Sequence, residues 1–239
     1  MFVYNFLNNY DHPNQTFLIS CFLLYMQYYV YDIILNLVSN KYYKLDNSKQ
    51  KYVVSNLLKC NTLLWLIIFM FPLFIQPFKK EWPIIAWKHA SAIYGSSDLV
   101  SLIMVKNHHL STILHHTFSV LINLAAINYG TFNTPNLWQA LMYYGIYSSI
   151  AYLVNGFLSI RFLLEKDSKI LYYLCLYSSY IYIIGCSINW STQLYYFIFY
   201  LPISVTSIIY FTSLMNFIRD DLKLIGFQIR YTNNFISNK

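Results

Sequence analysis

Apolar runs long enough to cross a bilayer recur through most of this chain, and they constrain its fold more than any motif does. A helix rises about 1.5 Å per residue, so about 20 apolar residues cover the ~30 Å hydrocarbon layer. Such runs occupy residues 17–38, 54–77 and 84–105, a fourth stretch continuing to 129, then residues 137–164, 170–188 and 193–218. In lipid, backbone N–H and C=O groups must be satisfied within the segment itself, which makes each run a helix. The fold class expected is all-α: a polytopic membrane helix bundle of about seven transmembrane helices. Runs longer than the layer requires should tilt or extend past the interface. Pro202 should kink the seventh. Composition agrees, with 57% hydrophobic and only 10% charged residues, against about 25% charged in soluble domains.

The basic residues choose an orientation. The loops after spans one, three and five, together with the tail, hold Lys41, Lys44, Lys49, Lys51, Lys106, Arg161, Lys166, Lys169, Arg219, Lys223, Arg230 and Lys239. The other side holds Lys79, Lys80 and Lys88. The positive-inside rule then puts the N-terminus outside (lumenal) and the C-terminus in the cytosol. It also accounts for the net charge of +7, so no nucleic-acid partner is expected. Residues 1–16 lack the basic start and the small-residue cleavage site of a signal peptide. The Asn14-Gln15-Thr16 sequon lies too close to the first span for ready glycosylation. Cys21, Cys60, Cys175 and Cys186 have no CxxC spacing and are expected as free, buried thiols. Gly130, Asn133 and Pro135 signal a turn between spans four and five.

Polar residues inside the spans are where function is sought, because an Asp at the centre of a spanning helix costs about 2.5–3.5 kcal/mol on insertion scales. In the third span Ser91, Tyr94, Asp98 and Ser101 share one helical face by their +3 and +4 spacing. Thr112, His116, Ser119 and Asn123 do so in the fourth, and Ser148, Tyr152, Asn155 and Ser159 in the fifth. Polar stripes avoid lipid, so these three should face one shared interior. Ser, Thr and Asn can serve there as interhelical glue, worth about 0.6 kcal/mol each. Asp98 with His115 and His116 exceeds what packing requires. The remaining histidines have simpler readings: His12 solvated, His89 interfacial, His108 and His109 in a tight turn. No metal site is expected. Residues seven apart on a helix are separated by about 10.5 Å along its axis, whereas Zn–N bonds are about 2.0–2.1 Å.

An Asp in one span, a His pair at the start of the next and an Asn in the following one resemble the TLC domain family. That family includes the translocating-chain-associating membrane protein, the longevity-assurance (ceramide synthase) proteins and a neuronal ceroid lipofuscinosis protein. The matching residues are Tyr94 to Asp98, His115-His116, and SSIAYLVNGFLSIRFLL at 148–164 with Asn155. The closing LMNFIRDDLK at 214–223, with Asn216, resembles the end of the domain. The resemblance covers about residues 50–225. It implies an N-terminal segment (1–49) with the first helix and a basic loop, a TLC-like domain (50–225) and a polar cytosolic tail (226–239). Departures are clear. His108-His109-Leu-Ser-Thr112 imitates the histidine pair and threonine of ceramide synthases, but no HDxxD-like stretch follows and no homeobox-like segment precedes. The glutamate common ahead of the Ser-rich stretch is replaced by Ile146, Tyr147 or Ser148. The chain is thus closer to the short TLC-domain-only proteins, linked to lipid composition and trafficking.

Three functions follow as expectations. In the first, an intramembrane cavity binds or senses an acyl-chain or sphingoid-like lipid in the endoplasmic reticulum or a related internal membrane. Tyr94, Ser101, Thr112, Ser119, Asn123, Tyr152 and Asn155 would contact the lipid beside Asp98, His115 and His116. In the second, the chain is a ceramide-synthase-like N-acyltransferase, with His115 or His116 as general base, Asp98 orienting the ring, and acyl-CoA as co-substrate drawn in by Lys106. In the third, it is a structural or translocation-associated component in which the Asp–His contact only stabilises.

Overall fold

The computed structural model describes residues 2–75, 83–106, 109–131 and 135–237. Among them there is no strand, and eleven helices follow one another along the chain. They are α1 (Phe2–Asn9), α2 (Pro13–Val38), α3 (Asn40–Tyr43), α4 (Asn47–Phe69), α5 (Phe71–Ile75), α6 (Ile84–Met104), α7 (Leu110–Tyr129), α8 (Leu137–Ser149), α9 (Tyr152–Ile160), α10 (Lys169–Phe199) and α11 (Val205–Ser237). Four of them, α2, α4, α7 and α10, are long and apolar enough to cross a membrane. The other long columns fall short for physical reasons. Lys88, His89, Asp98 and several serines interrupt the apolar character of α6, α8 and α9 are individually short, and α11 carries Arg219, Asp220, Asp221, Lys223 and Arg230.

Local chemistry starts several of these helices. Pro13 occupies the first turn of α2, where its missing N–H costs nothing. The Asp46 carboxylate accepts from the Lys49 N–H at the head of α4, and the Asn136 side chain accepts from the Gln139 N–H at the head of α8.

The chain departs from the expected boundaries in three places. Residues 189–192, read as a connection between spans six and seven, lie with Gln193 inside one 31-residue helix, α10. Asn189 and Gln193 there are buried polar residues, with Gln193 Nε2 donating to the Ala140 carbonyl (3.0 Å) and to Asn189 Oδ1 (3.1 Å). Pro202 consequently falls in the break between α10 and α11 rather than kinking a helix. The fifth run splits at Ile150 and Ala151 into α8 and α9. The tail is not a separate polar segment: α11 continues unbroken past residue 225, and Gln228 and Thr232 are buried against α10 near Cys175 and Ser178. Pro77, Lys79, Lys80, His108, Asn133 and Lys239 lie outside the described residues.

The interior and exterior are chemically inverted relative to a water-soluble fold. Leu18, Ile19, Phe22, Leu37, Ile184 and Ile208 are each more than half exposed. Ser96, Asp98, Ser159, Ser178, Gln193 and Gln228 are essentially inaccessible. α6 packs against α2, α4 and α7, α7 touches α11, α11 packs on α10, α10 on α8 and α9, and α9 on α4. These contacts close a ring, with α2 on its outside.

Candidate functional site

The ring encloses a partly open cavity of about 670 Å³. Every column of it contributes side chains: Ser55 and Lys59 from α4, Tyr94 and Ser101 from α6, Thr112, His115 and His116 from α7, Tyr144 and Ser148 from α8, Asn155 from α9, Tyr182 and Asn189 from α10, and Asp221 from α11. Its volume lies within the range of about 300–1,000 Å³ usual for small-molecule sites.

Asp98 sits behind one wall, fully buried, and does not itself reach the cavity surface. Two basic side chains approach its Oδ1. Lys59 Nζ from α4 forms an ion pair with it, and His116 Nδ1 from α7 lies 2.8 Å away. Both partners line the cavity, with side-chain exposures of 13% and 11%. Lys59 Nζ also lies 5.8 Å from the centre of the Tyr94 ring. Oδ2 of Asp98 is buried without a hydrogen-bond partner among the described residues. The arrangement holds a carboxylate, an ammonium and an imidazole together where α4, α6 and α7 meet. Nδ1 of His116 faces the carboxylate, which places Nε2 on the far edge of the ring. His115 packs edge-on against His116 (5.6 Å between centroids) and tilted against Phe217 (4.6 Å).

The expected contact residues divide. Tyr94, Ser101, Thr112, Asn155, His115 and His116 are brought together around the main cavity. Ser55 Oγ donates to Ser101 (2.8 Å), and Asn155 donates to the Ala151 carbonyl of its own helix (2.8 Å). Ser119 and Asn123 do not belong to this cavity; they line a separate crevice of about 50 Å³ shared with Tyr94 and His115. Asn123 packs where α7 approaches Gly95 of α6 and donates to the Ser119 carbonyl (2.8 Å). Tyr152 is also apart, since the break before α9 turns it into the apolar cluster around Leu63, Leu66 and Trp87. Ser159 is buried and bonded to Gly156 (2.8 Å).

Other expectations are corrected. His89 is fully buried, with Nδ1 2.8 Å from Thr16 Oγ1 and Nε2 2.5 Å from the Tyr10 carbonyl, and it ties the N-terminal helices to α6. That contact also engages the sequon threonine. His109 is the N-cap residue of α7 and lines the cavity. All four cysteines are free, but only Cys175 and Cys186 are buried. Asn216 is exposed and bonds to the Thr212 carbonyl of its own helix (3.2 Å). Among the described residues no group of three His, Cys, Asp or Glu side chains is placed to hold a metal ion.

Three site residues escaped the sequence reading. Lys59 had a signal in its spacing, because Ser55, Lys59 and Thr62 form a further +4, +3 stripe on α4. Asp221 accepts from the Tyr182 hydroxyl (2.7 Å) and from Trp190 Nε1 (3.2 Å), giving the wall formed by α10 and α11 its own buried carboxylate. Arg161 lines the cavity at the end of α9. Fold and site together define a helical bundle with an apolar exterior around a polar, charged chamber. No family model, no curated protein and no solved structure matches the chain.

Proposed function

We propose that this chain is a multi-pass membrane protein that binds a lipid in the central cavity and acts in lipid sensing or homeostasis. The observation that carries this reading is the Lys59–Asp98–His116 cluster, set behind the wall of a 670 Å³ chamber inside a bundle with an apolar exterior. A lipid's polar head would meet Lys59, His115, His116 and Asn155, and its chain would leave between helices. Seven passes belong to this reading: α2 outside the ring, and α4, α6, α7, α8 with α9, α10 and α11 within it. Loop charges favour a lumenal N-terminus and a cytosolic C-terminus. An internal membrane such as the endoplasmic reticulum, and kinship with short TLC-domain proteins, are part of the same proposal.

A second reading rests on one distance. With His116 Nδ1 2.8 Å from the Asp98 carboxylate, Nε2 is oriented as a base. In an acyl transfer, a neutral amine would attack the thioester carbonyl of an acyl-CoA. The C–N bond would form, the C–S bond would break, and His116 would take the amine proton before passing it to the departing thiolate. Comparative lipidomics of cells expressing wild type, His116→Ala and Asp98→Asn at matched membrane levels separates the readings. Lipid binding predicts altered lipid levels with no new amide product. Acyl transfer predicts a product present with wild type and absent with His116→Ala. Identical lipidomes in all three would refute both.

A further inference from the structure

Arg161 stands between two cavities. It lines the central chamber and also a second cavity of about 550 Å³ bounded by Phe162, Lys166, Phe227, Tyr231 and Phe235. Three rings hold its guanidinium: Cζ lies 4.7 Å from the Phe162 centroid, 4.8 Å from Phe227 and 5.8 Å from Tyr52. It also lies within reach of the Tyr52 hydroxyl. Its Nε is buried and makes no hydrogen bond among the described residues. No described carboxylate forms an ion pair with it, although Asp167 borders the second cavity, Glu165 pairs with Lys41 (2.5 Å) and Asp220 pairs with Lys223 (3.2 Å). Glu165 and Asp220 are thus occupied by other cations. A half-buried guanidinium at the end of α9 whose Nε has no partner is suited to receive an anion. Its planar fork matches a phosphate in two-point contact, and aromatic faces fix that plane in advance.

We propose that Arg161 binds a phosphate group, with Lys166 assisting at the rim of the second cavity, and that the rest of the ligand occupies the adjoining chambers. The chemistry is that of a phosphate ester. It is supplied by a phospholipid headgroup or by a soluble phosphate compound. The inference rests on the lipid-binding reading for the central cavity, and it adds the headgroup class.

The test uses purified, delipidated full-length protein in detergent, titrated with phosphatidic acid and with diacylglycerol, which lacks only the phosphate. Wild type should bind phosphatidic acid at least about tenfold more tightly, as one charge-assisted contact implies. Arg161→Gln should lose that preference while still binding diacylglycerol, and Arg161→Lys should recover part of it. Displacement of phosphatidic acid by adenosine 3′,5′-bisphosphate would support the site and assign it to a soluble phosphate source. Resistance to the bisphosphate would assign it to the headgroup. Equal binding of both lipids by wild type would overturn the phosphate site and leave the cavity reading intact. Loss of both lipids in Arg161→Gln and Arg161→Lys, with lowered thermal stability, would overturn it in favour of a purely structural arginine. Failure of wild type to bind either lipid would overturn both proposals.

Discussion

Asp98 is held by two partners on two other helices, Lys59 and His116, so its removal should do more than delete one contact. Breaking a buried ion pair leaves an uncompensated charge and costs about 3–5 kcal/mol, whereas replacing both partners by apolar residues is often close to neutral. Asp98→Asn should therefore lower unfolding stability in detergent by about that much. The Lys59→Met/Asp98→Leu double variant should lose clearly less than the two single changes added together. Additive losses in a denaturation series would mean that the pair is not coupled. The Asp98 and His116 stripes were legible because polar residues at +3 and +4 announce a shared face. Lys59 was not, because one helix's stripe does not say which neighbour it meets. That pairing exists only once α4 lies beside α6.

At the scale of elements, close approach and capping decide the geometry. A Cβ on Gly95 would come within 2.8 Å of Asn123 Cβ, so α6 and α7 meet there only because residue 95 has no side chain. Gly95→Val should force the helices apart and cost about 1–3 kcal/mol, read as a drop in melting temperature. An unchanged melting temperature would place the contact elsewhere. At the head of α4, the Lys49 side chain and backbone N–H hold the Asp46 carboxylate below its ordinary pKa. The sign follows from a depressed folded-state value: the cap is fully present above about pH 4 and is lost as the pH falls through the lowered pKa. The protection of the first amides of α4 against hydrogen exchange, relative to their intrinsic rates at each pH, should fall at low pH in wild type. In Asp46→Ala that protection should be low already at neutral pH. Helix existence was legible from the apolar runs, but breaks were less so. The polar stretch 189–192 reads as a loop in sequence, yet Asn189 and the adjoining Gln193 bond to each other, and Gln193 to Ala140, inside the bundle. The break at Ile150 and Ala151, which removes Tyr152 from the polar face, has no Pro or Gly to announce it.

For the molecule as a whole, the decisive property is its inversion, with apolar side chains outside and charge within. The low fraction of charged residues made that inversion legible. The chamber's size was not, because it depends on how far the helices around it stand apart. The claim that a lipid fills the chamber is tested most directly by the amount of lipid that copurifies with the protein. Asn155→Trp, which adds bulk from a residue on the cavity wall, is the matching control. The account predicts about one tightly held lipid per wild-type chain, as a site of this size allows, and loss of that lipid in a stably folded Asn155→Trp variant. The same lipid content in both proteins, or none in wild type, would contradict it.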